Sequence, residues 1–228
     1  MKNINNINTG ASRVKILLGE FGSGKTELAI NYALRIKQSG YKTALVDIDV
    51  IKPAFRSREQ KVLLEQAGIM VIVPDQQFAQ AELPVLPHEL MKVMYDKECQ
   101  VVIDVGGGES AIVLGQFCQR FTELSYEALL IVNTFRPFTT TVEGIVDACR
   151  KIEKVSGLKV TGLISNSNIG RETVPKHIQN GLILAEVAAG KLEMPIEYVV
   201  IPDWLGDDFV TCHKTFLLHP YTQYPWQS

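Results

Sequence analysis

The sequence predicts an α/β fold, a mostly parallel sheet of about seven strands with helices on both faces, and three observations predict it. Short β-branched runs recur along the 228 residues, each followed by a stretch with helical spacing. Most of those runs are apolar almost without a break, as suits strands covered on both faces. The first of them leads straight into a glycine-rich loop that opens a helix.

In chain order the predicted strands are Val14 to Leu18, Thr43 to Ile48, Ile69 to Val73, Val101 to Val105, Ala128 to Val132, Val160 to Ser165 and Tyr198 to Ile201. Parallel neighbours need crossovers, and the segments between them supply these as right-handed helical connections. After Lys25, the apolar stripe Leu28, Ala29, Tyr32, Ala33 and Ile36 predicts a helix that Gly40 closes. Thr139 to Val155 and Val174 to Ala189 read the same way, the second with Thr173 as its cap and Pro175 in its first turn. The interval Pro74 to Pro87 is irregular and reads as a long loop or lid. From Pro202 to Ser228 the aromatic residues Trp204, Tyr221, Tyr224 and Trp226 show no period, so this stretch is expected to wrap the core or meet another subunit. The expected organisation is a polar tail over residues 1–12, then one domain over 13–228 with a C-terminal aromatic extension.

Composition narrows the function. A net charge of -2 and a pI near 6.1 give no global field for nucleic acid or anionic lipid, so neither is favoured as a partner. The apolar runs fall far short of the ~20 residues a membrane helix needs. The start, "MKNINNINTGAS", is polar and does not read as a leader. The expected location is cytoplasmic. Cys99, Cys118, Cys149 and Cys212 form no CxxC or CxC pair and read as buried small hydrophobes or inert thiols.

The chemistry sits in "GEFGSGKT", Gly19 to Thr26, which matches G-x-x-x-x-G-K-[ST] between a predicted strand and a predicted helix. Gly19, Gly22 and Gly24 let the backbone curl until successive N–H groups point inward, and the helix N-terminus adds its positive end. Such a loop cradles the phosphates of a nucleoside triphosphate. The expected nucleotide-binding set is Gly22, Ser23, Gly24, Lys25, Thr26 and Glu27, with Lys25 bridging phosphate oxygens and the Thr26 hydroxyl on Mg²⁺. "VVIDVGGGES" ends a strand at Asp104, expected to hold the metal through water, with the Gly107 N–H within reach of the γ-phosphate. "VDID" places Asp47 and Asp49 on one strand face, where one of them orients the attacking or metal-bound water. No N-K-x-D reads guanine, since "SNSN" has no aspartate there, and the base is expected to be adenine. The expected cofactors are therefore ATP and Mg²⁺.

The phosphate loop, the "VDID" and the "IDVGGG" together resemble the MinD/ParA group of P-loop ATPases, with its CobQ/CobB relatives in the SIMIBI class, over roughly Val14 to Pro202. That resemblance implies an ATP-hydrolysing switch that dimerises with nucleotide between subunits and acts on a protein partner. It implies that Asp49 helps activate water and ligates the metal, that Asn166 contacts adenine, and that base contacts fall at Pro202. One departure stands out: the family's deviant loop carries an early lysine where this chain has Glu20. A carboxylate there repels phosphoryl oxygens, so the expectation is that hydrolysis is slow, that Arg56 or Arg58 supplies the missing charge, or that the dimer forms differently. A small-molecule kinase or a dethiobiotin- or cobyrinate-type ligase stays open as an alternative, as does a nucleotide-gated docking module.

Overall fold

The computed structural model describes residues 12–48, 57–73, 88–106, 108–115 and 118–222. They build an eight-stranded sheet in the order β3-β2-β4-β1-β5-β6-β7-β8, with every pair parallel. The strands are β1 (Val14–Leu18), β2 (Lys42–Asp47), β3 (Met70–Ile72), β4 (Cys99–Asp104), β5 (Glu127–Val132), β6 (Gly162–Ser165), β7 (Ile196–Pro202) and β8 (Thr215–Leu218). The helices are α1 (Lys25–Gln38), α2 (Ser57–Gln66), α3 (His88–Tyr95), α4 (Gly108–Gly115), α5 (Cys118–Leu124), α6 (Val142–Ser156) and α7 (Pro175–Leu192).

The period of two in each strand divides the core into layers. On β1, Val14, Ile16 and Leu18 join a cluster with Leu90 and Met94 of α3, Phe121 of α5 and Ile145 and Cys149 of α6. Leu17 faces the other way, into a second cluster built on Leu28, Tyr32, Ala33 and Ile36 of α1 with Leu64 of α2. Two-sided burial is why these strands read as unbroken apolar runs. Lys15 is the exception within β1, and it is 1% exposed. Its ammonium is paired with Glu127 at 2.7 Å and also donates to the Ser12 carbonyl, so its charge is compensated where it is buried.

Several expectations need correction. Among the described residues the sheet has eight strands where about seven are expected, the additional one being Thr215–Leu218, which pairs with β7 inside the stretch that shows no period. A short strand with one face on the core and one half-open carries too little pattern to be read. Thr173 does not cap α7: its hydroxyl donates to the Gly170 carbonyl and accepts from the Ile169 N–H, closing the preceding turn instead. The helix expected from Thr139 begins at Val142, with Thr141 as its cap accepting from the Gly144 N–H at 3.1 Å. The residues before it, Pro137–Thr139, form a separate 3₁₀ turn. The expected lid at 74–87 lies outside the described residues, as do the tail 1–11, Tyr224 and Trp226.

Among the described residues no helix is long and apolar enough to cross a membrane. Cys99 and Cys149 are buried as expected, while Cys212 is exposed. Burial pushes the Cys149 thiol up to about 11. About one such thiol in a thousand is ionised at pH 8, and the thiolate is the reactive form. Alkylation at pH 8 followed by peptide mass spectrometry is therefore expected to mark Cys212 first and Cys149 only after denaturation.

Candidate functional site

The site forms at the carboxyl ends of β2, β4, β1, β5 and β6, where open parallel sheets bind ligands. Leu18 ends β1, and the chain turns through Gly19, Gly22 and Gly24, whose φ values are 149°, 76° and 90°. Each lies in a region that a side chain disfavours. Space forbids one as well. A Cβ at Gly19 would lie 2.6 Å from the Ile131 carbonyl oxygen, and one at Gly24 would overlap the Asn166 amide nitrogen. The loop closes on itself by the Ser23 N–H donating to the Glu20 carbonyl at 3.1 Å, and then α1 begins at Lys25.

Inside this loop Lys25 is 8% exposed, and its ammonium donates to the Glu20 carbonyl at 2.9 Å. Ser23 is 1% exposed, and its hydroxyl has no hydrogen-bond partner among the described residues. A buried orphan hydroxyl beside a buried ammonium is costly by itself and fits an anion in the cradle. The parallel register sets Asp47 of β2 directly opposite Asp104 of β4, and Asp104 opposite Leu17, two residues before the loop. Both carboxylates are buried, at 8% and 6% exposure. Two neighbouring acids on the strands beside a phosphate loop that carries the half-buried Thr26 are a donor set suited to a hard divalent cation. Asp49, Gly107 and Arg56 lie outside the described residues.

Asn166 is expected at the base, yet its side chain reaches the phosphate loop: it is 3% exposed and its amide donates to the Ser23 carbonyl at 2.7 Å. Pro202 is buried at the end of β7, and the next residue, Asp203, accepts from His219 at 2.5 Å. Glu27 falls in the first turn of α1, but its carboxylate points to the chain's far end. It accepts from the Tyr221 N–H, the Thr222 N–H and the Thr222 hydroxyl. Any part of Glu27 in holding a nucleotide falls to its main chain.

Sequence reasoning missed a second layer beneath these residues. Asn133, 1% exposed at the end of β5, accepts from the Phe135 and Asn168 N–H groups and donates to the Asn168 carbonyl, stitching the β5 and β6 loops together. Thr134 and Ser167 share a hydroxyl contact of 2.9 Å against α7 at Gly181. A Cβ at Gly181 would overlap the Ser167 side chain. Gly181→Ala is expected to cost about 2 kcal/mol by overpacking, a fall of about 4–8 °C in thermal midpoint. Adding Ser167→Gly should restore part of it, because the shortest contacts of that Cβ are with Ser167 while the Thr134 hydroxyl stays close and loses its partner.

Glu20 is half-buried and lines a small cleft of about 20 Å³ with Gly106, Ala111, Lys151 and Ile152. Phe21 stands out at the loop's tip, 69% exposed, and Phe138 nearby in sequence to the β5 loop is 66% exposed.

Taken with the sheet order, the loop and its paired acids define a class: the chain has the fold of P-loop nucleoside triphosphatases. Solved structures of that fold resemble it, among them the cell division protein FtsY from Thermotoga maritima, with 24% identity, a TM-score of 0.53, and coverage of 86% of this chain and 65% of that one. Chloroplast FtsY from Physcomitrella patens matches at 18% identity and a TM-score of 0.57, over 85% of this chain and 59% of that one. The signal recognition particle 54 kDa protein from Aeropyrum pernix K1, solved in complex with GDP, matches at 22% identity and a TM-score of 0.52, over 86% of this chain and 42% of that one. In sequence, the signal recognition particle 54 kDa protein of Sulfolobus acidocaldarius is 29% identical over 121 residues. That match spans 51% of this chain and 27% of the relative's length. No family model matches. The relatives named here belong to the SIMIBI class of the resemblance but not to its MinD/ParA branch.

Proposed function

We propose that this chain is a Mg²⁺-dependent switch that binds and hydrolyses a nucleoside triphosphate. The observation that carries the reading is the loop Gly19 to Thr26, folded between β1 and α1 as a glycine cradle with a buried lysine and an orphan serine hydroxyl. The N–H groups of Gly22 to Thr26 are the donors for the β-phosphate. Lys25 exchanges its bond to the Glu20 carbonyl for phosphate oxygens. Thr26 and Asp104 are the residues for Mg²⁺, with Asp47 beside Asp104 to hold a metal-bound water. When bound, the cation neutralises charge on the phosphates, and the protein's share is to keep these oxygens converged and dry. Asp49 is proposed as the water-activating acid on the strength of the resemblance.

The chain's own residues and its relatives point to different bases. "SNSN" lacks the aspartate that accepts from guanine, which favours ATP, whereas the Aeropyrum pernix relative was solved with GDP, which favours GTP. We extend the switch reading to a protein partner or a nucleotide-dependent homodimer in the cytoplasm, supported by the exposed Phe21 and Phe138 around the site's mouth.

Phosphate release measured with ATP and with GTP, each with Mg²⁺ and with EDTA, tests the reading. Release that needs Mg²⁺ and saturates with one of the two supports it and names the base. No release above buffer with either nucleotide removes hydrolysis from the proposal.

A further inference from the structure

The phosphate loop carries a carboxylate at Glu20 and no cation before Lys25. The fold brings one in from another element. After β5 the chain crosses the tip of the loop on a rigid support. The Thr139 hydroxyl donates to the Asn133 carbonyl at 2.6 Å, the Arg136 N–H donates to the same carbonyl at 3.0 Å, and Pro137 starts the 3₁₀ turn. Set on this support, the Arg136 Nε donates to the Gly22 carbonyl at 3.0 Å. The side chain lies flat over that glycine: a Cβ at Gly22 would be 3.0 Å from Nε and 3.3 Å from Cζ.

Among the described residues the guanidinium has no ion pair and no second hydrogen bond. Yet Arg136 is solvent-exposed, and one bond to a neutral carbonyl does not outweigh the rotamer freedom lost in fixing an arginine there. With Nε anchored, the fork's two terminal nitrogens remain, in the planar geometry that matches phosphate.

We infer that Arg136 is a phosphate-binding residue, supplying to the nucleotide held in its own loop the second positive charge that Glu20 does not. The inference rests on the nucleotide reading above. It differs from the expectation for Arg56 or Arg58 in needing neither of those residues nor a second copy of the chain.

Titration of fluorescent mant-labelled mono-, di- and triphosphates of adenosine and guanosine into wild type, Arg136→Gln and Arg136→Lys tests it, with the thermal midpoint of each nucleotide-free protein measured alongside. Gln keeps an N–H for the Gly22 carbonyl and removes the charge. Triphosphate affinity is expected to fall at least tenfold in Arg136→Gln, in step with a smaller loss for the monophosphate and partial recovery in Arg136→Lys. The nucleotide-free midpoints should stay together, the affinity loss should shrink at high salt, and it should be independent of protein concentration. Triphosphate affinity within twofold of wild type in Arg136→Gln overturns the inference and leaves Arg136 as a brace. A loss seen only at concentrations where copies associate overturns its assignment to the same chain. Wild type that binds none of the probes overturns the nucleotide reading itself.

Discussion

Lys25→Ala is expected to weaken triphosphate binding at least a hundredfold while the far-ultraviolet circular dichroism stays that of the wild type. The ammonium is nine-tenths buried in the cradle, where it donates to the Glu20 carbonyl, so the loop places a positive charge where the proposed phosphates sit. Charge-assisted bonds of this kind contribute about 1.5–3 kcal/mol each, and a bridge between two phosphates uses two of them. About 3 kcal/mol is a little more than two decades in affinity. Equilibrium titration with a fluorescent triphosphate reads it directly. A diphosphate should lose less, because one of the two contacts is absent for it in either protein.

The second large effect concerns stability rather than affinity. Glu27→Ala is expected to cost about 3 kcal/mol, because it leaves the Tyr221 N–H, the Thr222 N–H and the Thr222 hydroxyl without their shared acceptor in a buried setting. For a chain of this length that is a fall of about 6–12 °C in thermal midpoint. The strand β8 and the residues after it are fastened along one face of α1. Asn31 exchanges two bonds with His219, the Arg35 guanidinium bonds the Leu217 carbonyl and stacks 4.0 Å over Phe216, and Gln60 of α2 donates to the Tyr221 carbonyl at 2.5 Å. Glu27, Asn31 and Arg35 recur at the helical spacing that aligns them on that face. Hydrogen exchange is expected to speed up first at the Tyr221 and Thr222 amides in Glu27→Ala, with the amides of β1 and β4 protected. Glu27→Gln keeps an acceptor oxygen and should lose roughly half as much.

The two predictions mark where the sequence is readable and where it is not. The phosphate loop is legible because its chemistry demands residue types at fixed spacing: glycines that adopt positive φ, then Lys25 and Thr26 at the helix start. Asp47 and Asp104 are legible because each ends an apolar run, and the register that places them side by side follows from strand adjacency. The contacts of the Glu27 carboxylate are not legible because its partners lie 194 and 195 residues away, and nothing local to "GKTE" signals that it belongs with the C-terminal segment. Asn166 makes a contact that its place in the sequence does not announce. It stands at the end of β6 as expected, yet it uses its amide on the Ser23 carbonyl, a contact across 143 residues that only the sheet order creates. Arg136 and Asn133 carry no motif at all. Their roles come from the β5 loop folding over the tip of the phosphate loop, which no spacing within "IVNTFRPFT" encodes.

The helices from α2 to α5 illustrate the same limit in the fold. They are short, at 10, 8, 8 and 7 residues, and too brief for a periodic stripe to stand out from apolar neighbours. The longer α1, α6 and α7 carry enough turns for their buried faces to be read, although the start of α6 is displaced by the 3₁₀ turn that supports Arg136.

Calorimetric titration of the wild-type protein with ATP and with GTP, in Mg²⁺, tests most directly whether the cradle from Gly19 to Thr26 holds a triphosphate. Saturable binding near one nucleotide per chain, abolished in Lys25→Ala, is the expected result. Absence of saturable binding by either nucleotide, from a protein whose circular dichroism shows it folded, would contradict it.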